Sequence, residues 1–393
     1  MEASEGIWLA LVATSAALYF AIVAGFVLAM LRRRLPRVPR LSPRVSILKP
    51  LAGMDDELEQ NLWSFAALEY PSYEIVLGVA SLDDSAYPAA RRFADRMGPD
   101  RARLVVTDPC AALNPKIAQL ISLERAAAGD VMVVSDSNVR VAPGYLDALM
   151  AELSAPGVAA VSSIVAGSGE RSFGAAVENL QLGAIITPGI VASAFFTGRI
   201  ITLGKSMAMW REPLQRIGGF ARIANYLSDD HVLGTAFAES GYGVRVSLWP
   251  VENRNVVCSL GRTIERHTRW AKIRRAMKPR AFLLEPILSP VVIATLACLA
   301  SPTRSSALVL MMAMALQGAG AVLTNAMLRR EAPRWYWMPL EILRSYLLFF
   351  CWFCACLTHR VSWRGHAFQL SRDSAIVPAQ PGVWHRVRAL VRA

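Results

Sequence analysis

Apolar and polar positions follow three different rhythms along this chain. Gly6–Leu31 is a run of 26 residues without a charge, and Arg32-Arg33-Arg34 follows at once. As a helix such a run extends about 39 Å, enough to cross a bilayer. A cleavable leader fits poorly: Glu2 and Glu5 stand where a basic stretch would be needed, and the apolar run is too long. The pattern predicts an uncleaved anchor with its N-terminus outside. By the positive-inside tendency, the domain that follows faces the cytosol.

Between the anchor and Arg280 the apolar runs shorten. Val45–Leu48, Tyr73–Val79, Ala102–Val106 and Val131–Ser135 have the length and composition of buried strands. Leu58–Leu68, with Leu58, Leu62 and Phe65 on one face, carries helical spacing, and Ser85–Met97 and Ile117–Ala128 also read as helices. This alternation predicts a mostly parallel α/β sheet, whose ligands lie beyond the carboxyl ends of the strands. Leu180–Met209 is apolar as well, but Pro188 and four glycines interrupt it. It is expected to be buried core, with a segment dipping into the membrane as the alternative. A true crossing there would separate two flanks that one site requires.

After Arg280 the membrane pattern returns. Ala281–Ala300 is apolar apart from Glu285 and holds Pro286 and Pro290, and Ser305–Leu328 has no charge. Pro339–Thr358 is apolar with Glu341 and Arg344 spaced to pair inside a helix bundle. Three crossings would carry the tail outside, yet that tail holds six Arg against one Asp. Either the tail departs from the charge rule or one segment lies in the interface, for which the first, with Glu285 and two prolines, is the best candidate. The chain thus divides into an anchor (1–35), an α/β domain (36–260), a basic interface segment (261–280), transmembrane or interfacial helices (281–358) and a basic tail (359–393).

Composition matters once it is located. The 393 residues are 54% hydrophobic and 18% charged, with a net charge of +12 and a mean hydropathy of +0.35. This excludes disorder, weakens a purely soluble reading, and leaves nucleic acid or an anionic membrane as partner. Eight cations against Glu265 lie between Arg262 and Arg280, directly before an apolar segment. That placement, with no nucleic-acid fold signature, favours a juxtamembrane collar over nucleic acid. The six scattered cysteines suggest neither a disulfide framework nor a zinc site.

Acidic residues stand where a parallel sheet binds ligands: Asp83-Asp84 after the second strand, Asp136 after the fourth, and Asp229-Asp230 before a helix over Val232–Ser240. Each alone reads as a turn or cap. Three of them, followed by Arg266-His267-Thr268-Arg269-Trp270, read as chemistry.

The order Asp84, Asp136, Asp230, then Arg266-x-x-Arg269-Trp270, resembles the D…D…D…(Q/R)xxRW pattern of membrane glycosyltransferases with the GT-A fold. More narrowly, the chain resembles ceramide glucosyltransferases. The likeness extends to Leu48-Lys49-Pro50-Leu51, Tyr70-Pro71-Ser72-Tyr73-Glu74, Asn114-Pro115-Lys116, Ser135-Asp136-Ser137 and Gly218-Gly219-Phe220, and more weakly to Trp363-Arg364-Gly365. Arg266 at the head of the last motif resembles the ceramide type, whereas Gln is typical of processive polysaccharide synthases. Bacterial hopanoid-associated glycosyltransferases share length and motifs.

The resemblance implies a GT-A nucleotide-sugar domain between membrane segments, and inverting transfer of glucose from UDP-glucose to the primary hydroxyl of ceramide. N-acetylglucosaminyl transfer to a hopanoid lipid and a non-catalytic membrane scaffold are the alternatives. It implies Asp230 as the base, Asp136 as ligand of Mg²⁺ or Mn²⁺, and Asp84 near the uridine with Asp83 assisting or flanking the turn. Lys49 and Lys116 are candidates for the nucleotide or its phosphates. Arg266 and Arg269 are candidates for developing phosphate charge, and Trp270 for shaping the acceptor pocket. The expected location is an inner membrane of bacterial type, with the catalytic domain on the cytosolic side.

Overall fold

The computed structural model describes residues 2–33, 42–363 and 366–378; Arg34, Arg364-Gly365 and the tail after residue 378 lie outside the described residues. The chain runs through α1 (Glu2–Arg32), β1 (Val45–Pro50), α2 (Leu58–Ala66), β2 (Tyr73–Val79), α3 (Tyr87–Met97) and β3 (Ala102–Val106). It continues with α4 (Pro115–Ala126), β4 (Val131–Ser135), β5 (Val139–Arg140), α5 (Tyr145–Leu153) and β6 (Val158–Ser168). Helices α6 (Phe173–Gln181) and α7 (Thr187–Thr197) are joined by a π-helical turn, Leu182–Ile186. Next come β7 (Ser206–Trp210), α8 (Arg211–Arg216), α9 (Asp229–Glu239), β8 (Gly243–Arg254) and α10 (Leu260–Met277). The remainder is α11 (Pro279–Leu284), α12 (Pro290–Ala300), α13 (Arg304–Arg329), α14 (Trp337–Leu357), β9 (Arg360–Trp363), β10 (His366–Leu370) and β11 (Ile376–Pro378).

Strands β1 to β8 form one sheet in the order β3-β2-β1-β4-β7-β6-β8-β5. β1 pairs parallel with β2 and β4, β2 with β3, and β6 with β8. β7 runs antiparallel between β4 and β6, and β5 closes the far edge antiparallel to β8. This is the mostly parallel α/β sheet expected. One apolar layer packs Leu58, Leu62, Phe65 and Leu149 against it; the other packs Ile117, Leu120, Leu233 and Phe237. The predicted strands appear as β1 to β4. The helix expected from Val232 begins instead at Asp229, with both aspartates in its first turn, where the helix dipole favours negative charge.

α1, α13 and α14 are each long and apolar enough to cross a membrane. So is the stretch Phe173–Thr197, but its flanks feed β6 and β7, which pair in one sheet, so the segment returns to the side it left. Pro279–Leu288 and Pro290–Ala300 are bent by 77°. The 11 residues of α12 extend only about 16 Å, short of a bilayer. Strands β9 to β11 form a second sheet, which clamps the loop before α9: Leu227 N–H donates to Ser374 O at 3.0 Å, and Ile376 N–H to Asn225 O at 2.8 Å. Strands β9 to β11 and the α/β domain therefore lie on the same side of any membrane crossed by α13 and α14. The segment expected to lie in the interface is the one that is bent and built of short helices.

Candidate active site

The site is assembled where β1 and β4 end. Asp136 follows β4, its backbone tied to Lys205 (Asp136 N–H to Lys205 O, 3.2 Å). Asn114 caps α4: its Oδ1 accepts from the N–H groups of Lys116 and Ile117 at 3.0 and 3.3 Å, and its Nδ2 donates to Tyr226 O at 2.7 Å. Asn114-Pro115-Lys116 is thus a bracket between the α4 start and the loop leading to Asp229. It projects Lys116 into the site.

Lys116 Nζ lies 3.0 Å from Asp136 Oδ1 and 3.1 Å from Asp229 Oδ2. Lys205 Nζ lies 3.1 Å from Asp136 Oδ2 and 2.9 Å from Asn138 Oδ1. Burial would lower the Lys116 pKa, but Asp136, Asp229 and Asp230 outweigh it and raise it above the ordinary lysine value. Burial likewise opposes ionisation of Asp136, yet Lys116 and Lys205 hold its carboxyl well below the usual carboxylate range. Asp229 is pushed up to about 6, by burial first and by Asp230 and Asp136 beside it, with Lys116 opposing. Neighbouring aspartates thus sit in opposite environments, the pattern by which a site separates roles.

Asp230 is held differently. Its Oδ2 accepts from Gly204 N–H at 2.7 Å, and its Oδ1 accepts from His231 N–H at 2.8 Å and Ser228 Oγ at 3.3 Å. A Cβ at Gly204 would stand 3.1 Å from Asp230 Cβ and 3.3 Å from Lys116 Nζ, so only glycine lets the backbone approach this closely without displacing them.

Asp136, Lys116, Asp229, Asp230, Lys205 and the Arg266–Arg269–Trp270 motif line one cavity of about 860 Å³. α10 carries that motif along the cavity wall. Arg266 Nη1 pairs with the buried carboxylate of Glu178 on α6, and the Trp270 ring meets His267 edge-on at 5.1 Å. The cavity continues between the apolar helices, past Ile186, Ile190, Val292, Leu348 and Phe349.

Three expected site residues lie outside this lining. Lys49 is wholly buried below Asp136, donating to Asp136 O at 2.9 Å and stacked 3.8 Å over Phe65; burial lowers it to about 7, with Asp136 and Asp55 opposing. Asp84 Oδ1 accepts from Gly53 N–H at 2.9 Å and Ala86 N–H at 2.8 Å, bracing the loop after β1. Asp83 is exposed beside it. Conversely, Lys205, Glu178 and Asp55 line the cavity without having been singled out from sequence. Lys205 and Glu178 are isolated charges in apolar stretches; Asp55 opens an acidic Asp-Asp-Glu run just after Gly53.

The sequence model of Glycosyl transferase family 21 matches residues 9–376. The chain belongs to glycosyltransferase family 21. Among relatives of this family-21 chain, ceramide glucosyltransferase 3 of Caenorhabditis elegans is 30% identical over 247 residues, 62% of this chain and 53% of that protein. Ceramide glucosyltransferase 1 of the same organism is 28% identical over 246 residues, with the same coverage. The chain spans about half the length of these curated relatives. A solved mannosyltransferase from Pyrobaculum calidifontis, in complex with GDP-Man and Mn²⁺, shares the fold with a TM-score of 0.53 at 22% identity, covering 90% of this chain and 98% of that one. The architecture is of the GT-A type expected for family 21, and the resemblance drawn from the motifs holds at the family level.

Proposed function

We propose that this protein transfers glucose from UDP-glucose to the primary hydroxyl of ceramide with inversion. The observation that carries the reading is the single cavity joining the aspartate–lysine cluster to the space between apolar helices. A soluble acceptor has no need of such a continuation; a lipid hydroxyl held at a membrane surface does. In this reading the acceptor oxygen forms its bond to the sugar C1 as the C1–O bond to the diphosphate breaks, and UDP leaves with the electron pair. Asp230 takes the hydroxyl proton, its carboxylate fixed by the Gly204 and His231 amides. Lys116, Lys205, Arg266 and Arg269 oppose the charge growing on the diphosphate. Trp270 bounds the acceptor side, and Asp84 supports the nucleotide side through the Gly53 loop.

A divalent ion fits this donor set only with help from the substrate. Among the described residues no group of three or more His, Cys, Asp or Glu side chains is arranged to hold a metal. Asp136 and Asn138, however, offer two hard oxygens that already converge on one ammonium, that of Lys205. These two would hold Mg²⁺ or Mn²⁺, with diphosphate oxygens completing the shell. The ion's chemical contribution when bound is to neutralise the leaving group. The orientation proposed is cytosolic for the α/β domain, with Arg32 and the α10 cations at the inner face of a bacterial membrane.

The test pairs UDP-glucose, UDP-galactose and UDP-N-acetylglucosamine with ceramide and a hopanoid alcohol, reading lipid products by mass. Glucosylceramide formation that collapses by about a thousandfold in folded Asp230→Asn is expected. Product from UDP-N-acetylglucosamine and the hopanoid alone would move the assignment to that reaction. No product from any pair would leave a scaffold.

A further inference from the structure

Beyond the aspartate–lysine cluster the cavity holds a second polar station, on α6. Glu178 is 2% exposed, lines the cavity, and gives one carboxylate oxygen to Arg266. Its other oxygen, Oε2, is buried with no hydrogen-bond partner. One turn further along α6, Gln181 also lines the cavity. Its Oε1 accepts from Arg344 Nη1, and no protein acceptor meets its amide hydrogens among the described residues. Arg344 is fixed in turn by Glu341, its neighbour on α14.

Buried acceptors without donors are rare and costly, and an ionisable group within a membrane bundle is by default a pointer to function; Glu178 combines the first with a place on the cavity wall. Residues three apart on a helix share a face about 5–6 Å apart. We infer that Glu178 and Gln181 form an acceptor-recognition subsite for a lipid carrying a secondary amide beside its reacting hydroxyl. The amide N–H donates to Glu178 Oε2, and its carbonyl accepts from Gln181 Nε2. The inference rests on the proposed transfer to an N-acyl amino alcohol and adds the groups that select it. A lipid alcohol with no donor at this position leaves Glu178 Oε2 desolvated and unpaired.

The experiment compares ceramide with its N-methyl analogue, which keeps the hydroxyl and the chains but removes the donor. Apparent KM for both is measured on wild type, Glu178→Gln and Gln181→Leu, with UDP binding as the check on folding. Glu178→Gln keeps an oxygen for Arg266 and replaces the orphan acceptor with a donor. On wild type the N-methyl analogue is expected to raise KM by about three- to tenfold, the worth of one hydrogen bond. That ratio should fall toward unity in Glu178→Gln. In Gln181→Leu, KM should rise for both acceptors while UDP affinity holds. Equal KM values on wild type, or a ratio unchanged in Glu178→Gln, overturn the subsite while leaving the transfer reading intact. No transfer to either acceptor by wild type overturns both. If Glu178→Gln gives no folded protein, the wild-type comparison decides.

Discussion

Lys116 stands between Asp136 and Asp229, so a proton taken by one carboxylate is felt at the other through a shared ammonium. The consequence appears in the pH dependence. Asp229, raised to about 6 chiefly by burial, takes up a proton as pH falls through that value and gives up its ion pair with Lys116. Activity is therefore expected to fall on an acid limb near pH 6 that belongs to Asp229, and Asp229→Asn should remove that inflection. A profile of kcat/KM for UDP-glucose checks it, and an unchanged limb in the variant counts against the coupling. Much of this site was legible in the sequence because carboxylates at strand ends have few purely structural reasons to recur. Lys49 shows the limit: its place at the end of β1 is readable, but not whether its side chain enters the cavity or the packed layer beneath. Glu178 and Arg266 are 88 positions apart, so their pairing appears only once α6 lies against α10.

At the scale of elements, the tail sheet is part of the site's framework. Ser228 N–H donates to Ser374 Oγ at 3.2 Å, and Ser228 Oγ in turn donates to Asp230 Oδ1 at 3.3 Å. Leu227 packs with Val361, Phe368, Leu370 and Ile376. The clamp also meets α10, where Lys272 Nζ donates to Arg360 O at 2.8 Å and Arg275 Nη1 caps α14 through Ala355 O at 2.6 Å. Ser374→Ala takes its acceptor from the part-buried Ser228 N–H and loosens the loop holding Asp230. It is expected to lower kcat by about three- to tenfold, with the affinity for UDP unchanged. Equal losses in kcat and UDP affinity would instead indicate general unfolding of the domain. None of this was readable from composition, since strands of three to five residues among charges carry no period long enough to register. The strands β1 to β4, longer and more continuously apolar, were.

The whole molecule is an acidic site inside a basic collar, hung from apolar helices. Leu308, Met311 and Met312 on α13, with Phe350 and Phe353 on α14, face outward as an exposed apolar surface, while Glu341 and Arg344 turn inward. Placing the tail beside the α/β domain makes the crossings between residues 281 and 358 even in number. Cys110 on the α/β domain and a cysteine at the exposed Val377 position should accordingly react with an impermeant thiol reagent from the same side of sealed vesicles. Labelling from opposite sides would contradict the clamp. The central claim, single displacement onto a lipid hydroxyl at Asp230, has a direct readout in the product's stereochemistry. The measurement is the anomeric configuration, by NMR, of the glycolipid made from UDP-glucose labelled with ¹³C at C1 and ceramide. A β-linked glucosyl lipid is the expected result, and an α-linked product, or label that never reaches the lipid, would contradict it.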